Sequence, residues 1–118
     1  MLKYLKNKKE NILLDVGLTE EKLKIIKQKY PNKIPVVVFT NDTIEIDRRK
    51  YLVEESFLFS ELMNLFRRRI SGISEADGLY MFVGDKQSLV PLSKRVSDVF
   101  DENDQYLRIT LAKESTFG

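Results

Sequence analysis

A chain of 118 residues is one domain's worth. At 42% hydrophobic and 32% charged, with 5 Gly and 3 Pro, it can hold a packed core and does not look disordered or repetitive. It contains no Cys and no His, which removes disulfides, thiolate nucleophiles, imidazole bases and Cys/His zinc sites, and with them most one-domain hydrolase mechanisms.

In chain order, residues 2–14 carry Leu2, Leu5, Ile12, Leu13 and Leu14 and are expected to form a short helix, interrupted by Asn7 and Asn11. A clearer helix follows Thr19, a good N-cap. Glu20 and Glu21 suit its first turn, Lys27 and Lys29 its last, and Pro31 stops it. Leu23, Ile26 and Tyr30 give it an apolar stripe. Ile34-Pro35-Val36-Val37-Val38-Phe39-Thr40 is nearly continuous and β-branched, the pattern of a strand covered on both faces. Asn41, Asp42 and Thr43 supply turn chemistry, and Lys50-Tyr51-Leu52-Val53 is a shorter strand preceded by the exposed charges Asp47, Arg48 and Arg49. Over 58–70, Leu58, Leu62, Leu65, Phe66 and Ile70 return to helical spacing, with Arg67, Arg68 and Arg69 in the last turn and Gly72 as terminator. Leu79-Tyr80-Met81-Phe82-Val83 is a third strand, ended by Gly84-Asp85. A short helix over 92–100 has Leu92, Val96, Val99 and Phe100 on one side, and residues 106–111 alternate as a last strand.

Two strands, a crossover helix and two further strands predict an α+β fold, the ubiquitin-like β-grasp, with a helical N-terminal extension. The first strand belongs inside the sheet and 50–53 at its edge, where unpaired N–H and C=O groups are open to a visiting peptide. Residues 1–17 form a basic segment and 18–118 the domain with its tail. Charge is uneven along the chain: residues 1–34 hold nine Lys against Glu10, Asp15, Glu20 and Glu21, so that part is +5 and the remainder −3 of a total of +2. Such a block could face anionic lipid or nucleic acid. A solvated helix face is the plainer reading, and the lysines lack the interleaved aromatics of a single-strand groove. No apolar stretch approaches the ~20 residues of a membrane span, and the start lacks a signal peptide's apolar block. These features describe a soluble, cytosolic domain that is not an enzyme.

Lys29-Tyr30-Pro31-Asn32-Lys33-Ile34-Pro35-Val36-Val37-Val38 resembles the segment opening the ubiquitin-like core of autophagy-related protein 8, the family that includes GABARAP and microtubule-associated protein light chain 3. Lys50-Tyr51-Leu52-Val53, Leu65-Phe66-Arg67-Arg68-Arg69-Ile70, Met81-Phe82-Val83 and Glu114-Ser115-Thr116-Phe117-Gly118 resemble later family segments in the same order. The resemblance implies a modifier whose C-terminal glycine, here Gly118, is adenylated, passed as a thioester between activating and conjugating cysteine enzymes, and joined to the amine of phosphatidylethanolamine. A residue without a Cβ suits a narrow enzyme cleft. Relatives are usually made with residues after this glycine, and a cysteine protease trims and deconjugates them. The sequence stops at Gly118 either as encoded or as a processed form. No cofactor or metal is implied, and the place of action is the cytoplasm and, once lipidated, the autophagosome membrane.

The resemblance also implies docking of cargo receptors through an aromatic-x-x-aliphatic motif. The aromatic subsite would comprise Ile26, Pro35, Lys50, Leu52 and Tyr106, and the aliphatic one Tyr51, Val53, Phe57, Leu62, Leu65 and Phe66. Arg48, Lys50 and Arg69 would attract acids flanking the motif. On periodicity alone Ile26, Leu62 and Leu65 read as core. Glu54 stands where the family often has Pro, Lys22 where an acid is common, the 101–105 connection is shorter, and 1–17 matches poorly. Two other readings compete: an unconjugated β-grasp adaptor binding linear motifs, against which Phe117-Gly118 weighs, and a basic nucleic-acid-binding domain, which the acidic body disfavours. The expected partners therefore exclude nucleic acid.

Overall fold

The computed structural model describes residues 17–40, 43–84, 86 and 88–114. The expected helix over 2–14, the turn residues Asn41 and Asp42, Asp85, and the tail with Gly118 lie outside the described residues. In chain order the elements are α1 (Glu20–Lys29), β1 (Lys33–Thr40), β2 (Glu45–Ile46), β3 (Lys50–Glu54), α2 (Phe59–Arg69), β4 (Ile70–Ser71), β5 (Leu79–Val83), β6 (Ser88–Leu89), α3 (Val96–Val99) and β7 (Leu107–Lys113). One five-stranded sheet runs β3-β1-β7-β5-β6, and β2 and β4 form a separate ribbon. The chain thus adopts the ubiquitin-like β-grasp predicted from the order of its elements, with β1 inside the sheet and β3 at its edge.

β1 is internal because both its faces are apolar. Val36, Val37 and Val38 are at most 1% exposed. Val36 pairs antiparallel with Tyr51 of β3 and Val38 lies beside Ile109 of the parallel β7. Alternate residues divide between two layers. Ile34, Val36 and Val38 join Phe59, Leu62 and Phe66 of α2, with Met81, Ile109 and Leu111, in the main core. On the opposite face Val37 meets Leu18 and Leu23, with Phe39 and Tyr106 packed around them.

α1 begins at the cap the sequence places there, and α2 has a side-chain cap that its sequence pattern did not single out. Thr19 Oγ1 accepts the Lys22 N–H at 3.1 Å, and Glu61 Oε1 accepts the Leu58 N–H at 3.2 Å. The apolar stripe of α1 narrows toward its end: Leu23 is buried, Ile26 half-buried and Tyr30 exposed. The Tyr30 ring is instead flanked by the Lys29 and Lys33 ammonium groups, at 5.8 and 5.5 Å from its centroid.

Several expected boundaries are corrected. The helix expected over 92–100 shrinks to Val96–Val99, because the preceding carbonyls have another use: Leu92 O accepts the Ser60 N–H at 3.0 Å and Lys94 O the Phe59 N–H at 2.9 Å, satisfying the start of α2. Gly72 does not end α2. That helix stops at Arg69, and Ile70 turns extended to pair with Ile46. Gly72 follows the ribbon at φ +86°. β3 extends to Glu54 and β7 to Lys113. The two-residue strands β2, β4 and β6 were not expected, being too short to carry a period.

Candidate functional site

β3 is an edge strand whose side chains alternate between the two layers. Tyr51 is half-buried and Val53 buried toward α2, whereas Lys50, Leu52 and Glu54 are exposed. An added strand would therefore meet an apolar surface on either side of the sheet, and anchors at i and i+3 point to opposite sides.

On the α1 side stand Ile26, Pro35 and Tyr106, each half-buried, with Lys50 and Leu52 exposed. Pro35 lies directly across from Leu52, and Tyr106 packs on the Leu18, Leu23 and Val37 cluster. A cleft of ≈ 550 Å³ between α1 and the 102–105 loop takes in Pro35, and one of ≈ 390 Å³ beside β6 takes in Tyr106. Neither includes Lys50 or Leu52. The β3 edge is an open surface, not an enclosed cavity, and its outer side leaves backbone N–H and C=O groups unpaired among the described residues.

On the α2 side, Tyr51 stands edge-on to Phe66, with centroids 5.4 Å apart and an interplanar angle of 62°. Its hydroxyl donates to Arg48 O at 2.8 Å, and burial raises its pKa, opposed by the nearby Arg69. Leu62 and Phe66 are fully buried and form the floor of this side. Tyr51, Phe57 and Leu65, all half-buried, are what it presents outward.

The charged members do not behave alike. Arg48 and Lys50 are exposed, whereas Arg69 is half-buried and pairs with Asp47 at 3.5 Å. At the far end of β3, Glu54 reaches Lys33 at 3.9 Å. Neither partnership is visible in sequence spacing, since Asp47 and Arg69 meet only through the β2–β4 ribbon. Gly118 lies outside the described residues.

No motif read in the sequence marks residues 74–78, which together with Tyr80 of β5 fasten the end of β7. The Asp77 carboxylate accepts the Ser74 N–H at 2.9 Å and pairs with Lys113 at 3.4 Å, while Asp77 O accepts from Arg67 at 3.1 Å. Tyr80 donates to Glu114 at 3.2 Å. The Asp-x-x spacing back to Ser74 was the available signal, as a local side-chain turn. The Ser74 N–H, aided by Lys113, holds the Asp77 carboxyl below its ordinary range. A depressed carboxylate stabilises the fold above its unfolded pKa, and that contribution is lost as pH falls through the folded value. Asp77→Asn is expected to melt lower than the parent at pH 7. The difference should vanish as pH drops below the ordinary carboxylate range, as calorimetry would record.

Among the described residues no cluster of acidic side chains is arranged to hold a metal ion, and no helix is long and apolar enough to cross a membrane. The family model for the ubiquitin-like autophagy protein Atg8 matches residues 19–118. Autophagy-related protein 8c of Arabidopsis thaliana is 35% identical over 99 residues, covering 79% of this chain and 81% of that one. Autophagy-related protein 8 of Schizosaccharomyces pombe is 32% identical over 99 residues, covering 79% of each. The crystal structure of Trypanosoma brucei ATG8 superposes with a TM-score of 0.64 at 21% identity, covering 86% of this chain and 94% of that one, a likeness of fold.

Proposed function

The chain belongs to the Atg8 family of ubiquitin-like autophagy proteins, and we propose that it is conjugated through Gly118 to phosphatidylethanolamine and docks cargo receptors on the β3 edge. Proteins of this family are ubiquitin-like modifiers rather than enzymes. The observation that carries the proposal is the family match itself, which spans residues 19–118 and so includes Gly118. In this reading residues 18–118 are the modifier domain with its tail, and 1–17 a basic segment before it. The glycine carboxylate is activated by adenylation, held as a thioester by cysteine enzymes and transferred to the lipid amine as an amide, and a cysteine protease reverses the link. Conjugation moves the protein from the cytoplasm to the autophagosome membrane. The lipid, not the polypeptide, then supplies the anchor.

The edge geometry supports the docking half. β3 offers its outer backbone groups, and the two anchors of an aromatic-x-x-aliphatic motif fall on opposite sides of the sheet, where Leu52 with Pro35 and Leu65 with Tyr51 stand. Leu52→Ala is expected to weaken such a peptide by removing surface from the aromatic side, and Leu65→Ala from the aliphatic side. Each change costs roughly 1–3 kcal/mol, about tenfold to a hundredfold in Kd. Leu65 also packs against the core, so its melting temperature is measured first. Amide shifts on titration should cluster at 48–53 and 62–69. Perturbations confined elsewhere would remove the docking surface from this reading.

A further inference from the structure

We propose that the β3 edge also selects the residues following the motif, preferring basic ones, because Glu54 and Glu55 give the edge a second charge opposite to the first. The inference rests on the docking reading of the same edge and names the peptide chemistry that edge accepts.

The charges along this edge are segregated. Arg48, Arg49 and Lys50 lie at its start, and Glu54 and Glu55 at its end, all exposed. Lys50 and Glu54 are four residue steps apart, roughly 13 Å along an extended strand. That exceeds the screening length of about 8 Å at physiological salt, so each end is felt separately. Nearby partners temper both ends without cancelling them. Asp47 engages Arg69, which leaves Arg48, Arg49 and Lys50 at the start. Lys33 reaches Glu54 only at 3.9 Å, with the Glu54 side chain still 57% exposed, a pair weak enough for a peptide cation to share. The Glu55 backbone is held by Asn32 O and the Ser97 N–H, and the residue lines the α1-side cleft with Lys24, Lys27 and Lys33, which temper this end further although no ion pair among the described residues reaches Glu55.

Acids preceding the motif settle against Arg48, Arg49 and Lys50, and that sets the peptide's direction. Running the same way as β3, it brings the residues after the aliphatic anchor beside Glu54 and Glu55. Running the opposite way, it would bring its acids onto those glutamates, where like charges repel. The edge therefore fits a segment that is acidic before the motif and basic after it.

The test uses three synthetic peptides sharing an acidic lead and an aromatic-x-x-aliphatic core, followed by two Lys, two Ser or two Glu. Titrated into the purified chain, they are expected to bind in the order Lys, Ser, Glu, with about tenfold between the extremes at low salt and little difference at high salt. Glu54→Gln with Glu55→Gln is expected to collapse that range to about twofold while leaving the Ser peptide's Kd unchanged. Equal affinities, or a preference for the Glu peptide, would overturn the inference provided the Ser peptide still shifts the amides of residues 50–54. If the Ser peptide leaves those amides unmoved, the docking reading itself fails and this inference falls with it. The peptide series needs no variant and decides the matter even where the double substitution alters melting.

Discussion

Deleting Gly118, or replacing it with alanine, is expected to leave the melting temperature unchanged and to abolish recovery of the protein with membranes. β7 ends at Lys113, and the last described contacts, between Glu114 and the Gly78 and Tyr80 region, lie before the tail. A terminal residue beyond the final strand contributes little to stability. Its chemistry is another matter. Deletion moves the terminal carboxylate onto Phe117 and so places a bulky side chain where the reacting group must enter. Alanine adds one Cβ and restricts the backbone angles available at the acyl carbon's own residue. Membrane pelleting from a lysate, with mass spectrometry for a glycerophosphoethanolamine adduct on the C-terminal peptide, measures both effects. A Gly118-deleted chain that pelleted like the parent would sink the lipid-modifier reading.

Gly72→Ala should be the most damaging single-methyl change among the described glycines with positive φ. Its φ of +86° lies in the region that side chains rarely adopt, and a Cβ built there would collide with the Thr43 carbonyl oxygen, a backbone atom that cannot rotate away. Ile44, 1% exposed, is the next residue along and belongs to the main core, so moving Thr43 disturbs packing as well as the ribbon. Strain and collision together are expected to cost on the order of 3 kcal/mol, lowering Tm by roughly 10–15 °C in a domain of this size. Gly84→Ala is the matched control. Its φ is +79°, yet nothing lies within 4 Å of the added carbon, so only the backbone penalty of about 1 kcal/mol applies. Melting curves of the two variants separate collision from strain. Equal losses would show that Thr43 and Ile44 yield to the methyl group.

The candidate site was legible unevenly. Leu52 and Tyr51 could be assigned to opposite sides of a strand from alternation alone, and the edge position of that strand followed from the apolar composition of residues 34–40. The grouping of Ile26, Pro35 and Tyr106 into one subsite, and of Phe57 with Leu65 into another, came only from the family resemblance. No local period links residues so distant in sequence. Leu62 and Phe66 illustrate the limit in the other direction. Their helical spacing speaks of core, they are fully buried, and in the proposed docking they would lie beneath the residues a peptide touches.

By itself, the sequence determined the four long strands, the two main helices, and that the first strand lies inside the sheet with residues 50–53 at its edge. Their signals are local: a β-branched run, a cap residue, a 3.6-residue stripe, each written within one element. The tertiary structure alone decided the rest. It set the end of α2 at Arg69, because Ile70 gains a partner in Ile46. It shortened the last helix to Val96–Val99, because the carbonyls of Leu92 and Lys94 are spent on the Ser60 and Phe59 N–H groups. It also chose which exposed charges become neighbours, joining Asp47 to Arg69, Lys33 to Glu54 and Asp77 to Lys113. A charge on the surface carries no periodic mark of its partner. Burial leaves a pattern in the chain because water rejects apolar side chains one by one, whereas an exposed ion pair is worth so little that only the fold's own geometry brings its two members together.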